Sequence, residues 1–301
     1  MKFGKVDHPE KIDFTLPADA KETAKVLSKY RAASRKKNLL QVYVGCAKWN
    51  RQELKGFYPR GTKDELTYYA SQFNSIELNA TFYRLFPKEQ YETWYEKTPA
   101  DFKFFPKIYN YISHLKRLID PEPRVDQYLD HTLLLQDKLG TIFLQMHPNF
   151  QPKNFDRVER FVQYWPREIP LAMEFRHTDW FNNTQQAERL CTLLEAHSIA
   201  NIITDTAGRR DLLHMRLTNE EAFIRFNGAN HPTDYTRLDD WVDRLEHWVE
   251  LGLQKIHFFV HQNVEEESPL LSAYFIEKLN QRLTLDLQIP HFPKQKSNFH
   301  D

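Results

Sequence analysis

A chain of 301 residues in which 41 Lys and Arg balance 41 Asp and Glu has no global attraction for nucleic acid or an anionic membrane. Its 41% hydrophobic content supports a sizeable core, no apolar run is long enough to span a bilayer, and the charged residues after Met1-Lys2-Phe3-Gly4-Lys5 leave no signal-peptide core. Cys46 and Cys191 match no metal-ligand spacing and read as reduced thiols of a cytoplasmic protein.

In chain order, residues 1–40 read as an N-terminal helical extension. Its helix spans 19–34, with Ala24, Val26, Leu27 and Tyr30 on one face. It is expected to cover the bottom of the following fold or to pack on its side. The basic run Arg35-Lys36-Lys37 reads as a solvated helix end. Residues 41–285 carry eight short runs rich in β-branched and aromatic residues: 42–46, 75–79, 102–107, 141–146, 171–175, 201–204, 222–226 and 256–260. Helical periodicity fills the gaps at 63–73, 158–164, 184–197, 238–251 and 269–283. In 238–251 the apolar stripe is Leu238, Trp241, Leu245, Trp248 and Val249. A strand–helix unit of about thirty residues repeated eight times predicts an α/β fold, a single parallel eight-stranded (β/α)8 TIM barrel. Residues 286–301 read as a C-terminal tail, poorly ordered from Pro290 onward.

Strand side chains alternate faces, so the residue between two apolar, helix-facing neighbours points to the barrel axis. Ile76 and Leu78 leave Glu77 and Asn79 inside; Met173 and Phe175 leave Ala172, Glu174 and Arg176. Ile224 and Phe226 leave Phe223 and Arg225; Ile256, Phe258 and Val260 leave His257, Phe259 and His261. Strands three, four and six add Lys107, Gln145 and Asp205, while the remaining inward positions at the bottom read as apolar or small. The charged set lies at the C-terminal strand ends, where barrel enzymes keep their sites. Aromatic residues crowd the loops that follow: Trp49, Phe57, Tyr58, Phe82, Tyr83 and Trp180. His114 lies just beyond strand three and faces the site. His177 either bonds to its loop backbone or takes part in catalysis, and Asp205 either caps the next segment or joins the site. Cys46 is a nucleophile only with a base beside it, and otherwise a buried thiol. No Gly-rich phosphate loop, nucleophile elbow or HExxH motif is present.

Several motifs occur in an order that resembles a known family. They are Val44-Gly45-Cys46-Ala47-Lys48-Trp49, Gly56-Phe57-Tyr58-Pro59 and Phe73-Asn74-Ser75-Ile76-Glu77-Leu78-Asn79-Ala80-Thr81-Phe82-Tyr83-Arg84. Leu144-Gln145, Glu174-Phe175-Arg176-His177, Arg225-Phe226-Asn227-Gly228 and Phe259-Val260-His261-Gln262-Asn263 follow. The pattern is similar to the YecE-like family, the domain-of-unknown-function 72 family, whose members are TIM barrels. The resemblance runs from about residue 42 to 283 and implies the fold. The family pattern has His-Gly where this chain has Asn227-Gly228, and Asn-Asn-Asp after an aromatic where it has His261-Gln262-Asn263-Val264. Any role borne by those positions is therefore in question here.

The functional reading is an enzyme acting on a small polar or anionic substrate at the C-terminal mouth. Glu174, Glu77 and His177 are the catalytic candidates. Arg176, Arg225, Lys107, Asn79, Gln145, Asp205, His114, Tyr83 and Trp49 are the binding candidates, with the arginines suited to a carboxylate or phosphate. No metal or cofactor is assigned; a small-molecule ligand is expected, no membrane, and nucleic acid is disfavoured by neutrality. Three alternatives stay open. A metal-dependent isomerase- or endonuclease-IV-like barrel would use Glu77, Glu174, His177, Asp205 and His261, although Arg176 and Arg225 would repel the ion. A non-catalytic barrel would bind a ligand without turnover. A self-satisfied salt-bridge network would merely plug the barrel.

Overall fold

The computed structural model describes residues 4–34 and 40–293. The basic run Arg35–Lys37 and the end of the tail lie outside them. Nine strands form, all pairing in parallel: β1 (Gln41–Cys46), β2 (Ser75–Leu78), β3 (Lys103–Pro106), β4 (Ile142–Gln145), β5 (Leu171–Glu174), β6 (Ala200–Asn201), β7 (Ile203–Thr206), β8 (Glu221–Asn227) and β9 (Lys255–His261). They make three sheets, ordered β1-β9-β8-β7, β2-β3 and β4-β5-β6. Parallel pairing needs long crossovers, and the helices supply them. The eight expected strands thus become nine, because the sixth run is split at Ile202, whose N–H donates to the Met173 carbonyl at 2.9 Å.

The helices are α1 (Lys21–Ser34), α2 (Glu65–Ala70), α3 (Ala80–Tyr83), α4 (Lys88–Glu96), α5 (Glu122–Thr132), α6 (Phe155–Tyr164), α7 (Thr184–Ala196), α8 (Thr233–Leu251) and α9 (Ser268–Leu283). Three were not expected from the sequence: the single turn α3, and the longer α4 and α5. The longer two each start directly after a proline, Pro87 or Pro121, a residue suited to a helix start. Each buries a narrow stripe: Tyr91 and Trp94 in α4, and Val125, Tyr128, Leu129 and Thr132 in α5.

Helix-facing strand residues and helix stripes form two large apolar clusters. The ring of Phe258 on β9 stacks on Phe275 of α9 at 3.9 Å. Burying each such side chain contributes roughly 1.5–3 kcal/mol. A third cluster lies on the opposite strand face: Phe105, Phe143, Ala172, Ala200, Ile202, Phe223 and Phe259, with Tyr43 against them. All three sheets contribute to it. Below this aromatic layer, toward the strand starts, Glu221 is buried and accepts from Lys255 Nζ at 2.6 Å and Thr141 Oγ1 at 3.1 Å, near buried His257. The expectation of wholly apolar or small residues at that end is corrected: Glu221 begins β8 one residue before the apolar run that marked the strand.

The described part of the N-terminal extension packs against α8 and the segments that lead into β8 and β9. Asp19 accepts from Arg244 and from Trp248 Nε1 at 2.9 Å, and Thr23 Oγ1 donates to the Met215 carbonyl at 2.9 Å. Gly252, at the end of α8, lies so close to α1 that a Cβ would meet the Leu27 carbonyl oxygen at 2.4 Å. Upstream, the segment climbs to the C-terminal end of β7, where Gly208 N–H donates to the Gly4 carbonyl at 2.8 Å. Gly4 has φ +76 and no room for a Cβ against Thr206. The described part of the tail, up to residue 293, is also docked, and the rest of the segment expected to be poorly ordered lies outside the described residues. His291 N–H donates to Gln72 Oε1 at 2.9 Å, and the rings of Phe292 and Phe57 are 5.8 Å apart. No helix among the described residues is long and apolar enough to cross a membrane.

Candidate functional site at the C-terminal strand ends

Above the aromatic layer, five strands aim charged or amide side chains at one point. Glu77 of β2, Gln145 of β4, Glu174 of β5 and Arg225 of β8 are all buried, and His261 ends β9. Arg225 is the hub. It donates to Glu77 through Nε at 2.8 Å and a terminal nitrogen at 2.7 Å, and to Glu174 Oε2 at 2.8 Å through the other. Asn79 Nδ2 donates to Glu77 Oε1 at 2.7 Å, and His261 Nε2 is 3.1 Å from the same oxygen. Arg176 Nε donates to Glu174 Oε1 at 2.5 Å, and Gln145 Nε2 donates to Glu174 Oε2 at 2.9 Å. Such charge-assisted, multidentate contacts are the strong class of hydrogen bond.

The two carboxylates are therefore fully engaged. Burial pushes the Glu77 carboxyl up, but the Arg225 charge and then His261 more than offset it and hold it well below the usual range. Burial acts likewise on Glu174, and Arg176 and then Arg225 again win. Lys107 follows β3 and stands apart. Its Nζ donates to Gln145 Oε1 at 2.9 Å and lies 4.1 Å from the Phe82 ring centre. Among the described residues no carboxylate lies within ion-pair distance of it. Burial, then the Arg225 and Arg176 charges, push its amine well below the usual lysine value.

The loop after β3 is strained. A π-helical turn covers Tyr111–Leu115, and Arg117, Leu118 and Asp120 take φ of 49, 61 and 44. Both features concentrate at functional sites. The turn carries His114, whose ring is 4.8 Å from Phe82 and 5.3 Å from His147. Its Nδ1 lies 2.9 Å from Ser113 Oγ, and burial, then Lys107, His147 and Arg176, lower its pKa to about 4.

Other candidates lie elsewhere. Asp205 is turned to the helices: it accepts from Trp241 Nε1 at 2.8 Å, pairs with Arg237 at 2.9 Å, and pairs with Arg210. Ile203 of the same strand sits in the helix-side core, and two-residue periodicity puts Asp205 on that same face. Asp205 is therefore removed from the mouth set. It anchors the N-terminal segment instead, because Arg210 also donates to the Phe14 and Thr15 carbonyls at 3.0 and 3.1 Å. His177 starts a short turn, its Nδ1 accepting from Asp179 N–H at 3.2 Å, while Nε2 is 3.1 Å from Gln151 Nε2. The catalytic placement of His177 beside Glu174 is thus replaced by a capping one. Trp49 packs edge-on against Trp94 at 6.1 Å, under the following loop, and Tyr83 is 72% exposed on the rim. Cys46 is buried, its Sγ 3.7 Å from Ser272 Oγ, and burial pushes its thiol well up, which suits the buried-thiol reading. Asn227 ends β8, and its carbonyl accepts from Arg237 at 3.2 Å. Gln262 turns outward to Asn230 and Asp234, at 2.9 and 3.2 Å, and Val264 is 59% exposed.

Of the five possible metal ligands, only Glu77 and His261 touch. Among the described residues no group of three or more His, Cys, Asp or Glu side chains is gathered to hold an ion. Arg225 occupies the space between Glu77 and Glu174.

A family model described as "Protein of unknown function DUF72" matches residues 43–296. The chain is 26% identical over 277 residues to UPF0759 protein YecE of Escherichia coli (strain K12), covering 86% of this chain and 100% of that one. It is 27% identical over 202 residues to UPF0759 protein YunF of Bacillus subtilis (strain 168), covering 63% and 71%. The crystal structure of a DUF72 family protein from Thermotoga maritima superposes with a TM-score of 0.65 at 24% identity, covering 80% of this chain and 99% of that one. One from Enterococcus faecalis gives 0.64 at 17%, covering 82% and 98%. At those identities the structural likeness concerns the fold, while the family model spans most of the sequence: the chain belongs to the DUF72 family.

Proposed function

We propose that the three sheets are arcs of one closed eight-stranded barrel spanning residues 41–285, and that its C-terminal mouth binds a small anion, a carboxylate or phosphate, as substrate. Closure is supported by the third apolar cluster, to which every sheet contributes. Contacts across two of the seams, β3 to β4 and β1 to β2, add to it. Parallel bridges join Phe104 to Leu139 and Lys107 to Phe143. Asn74 ties to Val42 and Val44 of β1 at 2.7 and 3.1 Å. Gly45 lies so near β2 that a Cβ would meet the Ser75 carbonyl oxygen at 2.3 Å. Residues 1–40 and 286–301 then flank the barrel. The buried free cysteines suit a reducing, cytoplasmic setting.

Lys107 carries the functional reading. Three basic side chains, Lys107, Arg176 and Arg225, face two carboxylates, and both carboxylates are taken by the arginines. The Lys107 amine is left without a counter-charge in that pairing, and an anion from outside supplies one. Glu77 and Glu174, held ionised at neutral pH, position the arginines in this scheme and are poor proton donors there. Non-catalytic binding is the second reading, favoured by that same low proton affinity; turnover of the bound anion separates the two. The test is thermal unfolding with inorganic phosphate, a dicarboxylate or a neutral sugar. An oxyanion at about 100 times its dissociation constant is expected to stabilise by about 2.7 kcal/mol. Lys107→Met is expected to abolish that shift. Stabilisation by the sugar alone, or an oxyanion shift untouched in Lys107→Met, refutes the proposal.

A further inference from the structure

We infer that Lys107 is a carbonyl-condensing amine: a small 2-oxo acid bound at this mouth forms an imine with its Nζ. This rests on the anion-binding reading, which supplies the hold on the acid's carboxylate.

The geometry of the lysines carries the inference. Lys138 is a structural buried lysine: its Nζ donates to the Tyr95 and Thr98 carbonyls at 2.6 and 2.5 Å and to Thr98 Oγ1 at 3.3 Å. Lys255 pairs with Glu221 at 2.6 Å. Lys107, equally buried, has one acceptor, an amide oxygen at 2.9 Å. That amide is itself fixed, because Gln145 Nε2 is committed to Glu174. Backbone contacts fix the stem as well: Lys107 N–H donates to the Leu78 carbonyl at 3.2 Å, and its own carbonyl accepts from Thr81 Oγ1 at 2.7 Å. A neutral amine needs fewer acceptors than an ammonium and keeps a lone pair for attack. The Phe82 face favours the cation, but burial and two guanidinium neighbours oppose it and prevail. A desolvated lysine beside other cations is a general way to make an amine nucleophilic at neutral pH.

The step balances without a redox partner. The Nζ lone pair forms the C–N bond while the carbonyl π pair moves to oxygen, which takes up a proton that nitrogen releases. The resulting hydroxyl leaves as water after a second protonation from solvent, and the nitrogen lone pair closes the C=N bond. Hydrolysis reverses every step.

The experiment is reductive trapping with cyanoborohydride and pyruvate, with acetone as the probe lacking a carboxylate, followed by intact mass and peptide mapping. Wild type and Lys107→Arg are compared, and the inorganic phosphate shift is measured on both. One reduced pyruvate adduct on Lys107, formed about tenfold or more faster than at any surface lysine and absent in Lys107→Arg, is expected. Labelling spread over surface lysines, or unchanged in the variant, overturns the inference. A phosphate shift without an adduct on Lys107 overturns the amine chemistry and leaves the anion site standing. An adduct on Lys107 as fast with acetone as with pyruvate, and no phosphate shift, upholds the amine and refutes the anion reading. Should Lys107→Arg fail to fold, site-resolved mapping of the wild type decides alone.

Discussion

Replacing Arg225 by Met is the sharpest probe of the mouth. Arg225 is 4% exposed and makes three hydrogen bonds of 2.7–2.8 Å to two buried carboxylates. Methionine fills much of the space but leaves Glu77 and Glu174 facing each other without their common cation. Removing one partner of a buried pair costs about 3–5 kcal/mol. At about 2 °C per kcal/mol for a chain of this size, the melting temperature drops by roughly 6–10 °C. The pH dependence is more telling. In the wild type both carboxyls titrate below their unfolded range, so they stabilise above that range and the contribution is lost as pH falls through the folded values. In Arg225→Met the folded pKa values rise, most for Glu77, which loses its largest offsetting charge, while Arg176 still offsets the burial of Glu174. The penalty is then largest at neutral pH and shrinks as pH falls and the carboxyls protonate. Urea unfolding of both proteins from neutral pH down to about the unfolded carboxyl pKa tests this. Adding Glu77→Gln to Arg225→Met, which keeps Glu174 for Arg176, should recover part of the lost stability. A loss below about 1 kcal/mol, the scale of a solvated surface pair, or a penalty independent of pH, refutes the account of a dry, charge-matched hub.

Burial lowers the pKa of His257 to about 4, with Glu221 opposing the shift. A histidine depressed in the folded state withholds a proton that the unfolded chain takes up, so stability is lost as pH falls from about 6.5 toward 4. This side chain alone makes the protein roughly 2 kcal/mol less stable at about pH 5 than at pH 7; in His257→Gln the urea midpoint should fall less steeply with pH, and an unchanged slope counts against the assignment. Asp205→Asn removes the charge shared by Arg237 and Arg210, so it should cost about 3–5 kcal/mol and loosen the segment before α1. Limited proteolysis should cut within residues 4–16 faster than in the wild type, and equal rates would show that Asp205 does not anchor it.

The inward residues of the mouth were legible where apolar neighbours framed them. Ile76 and Leu78 frame Glu77, Met173 and Phe175 frame Glu174, and Ile224 and Phe226 frame Arg225. Parity failed at Asn201-Ile202-Ile203-Thr204, because two adjacent isoleucines face opposite ways, Ile202 in the inner cluster and Ile203 in the helix-side core. Nothing local says which is which, and Asp205 inherited the wrong face. For His177 the sequence left two readings open, and the geometry favours the loop-backbone one: the chain turns after Arg176, and the ring accepts from Asp179 N–H. The single amide acceptor of Lys107 is a long-range fact, made by Gln145 on another strand, and no spacing in the sequence announces it. The N-terminal course against α8 depended on Asp19 meeting Arg244 and Trp248, again beyond local reach.

The inner aromatic layer sets apart two polar chambers. Phe105, Phe143, Phe223 and Phe259 form a septum between the Glu221–His257 end and the Arg225 end. Four residues of β8 separate Glu221 from Arg225, about 13 Å at the strand rise. Across that distance, through side chains that offer no hydrogen bond, changes in one chamber should add to changes in the other without coupling. Each chamber can then be re-engineered on its own, and the anion proposed for the mouth would meet an apolar floor instead of a channel.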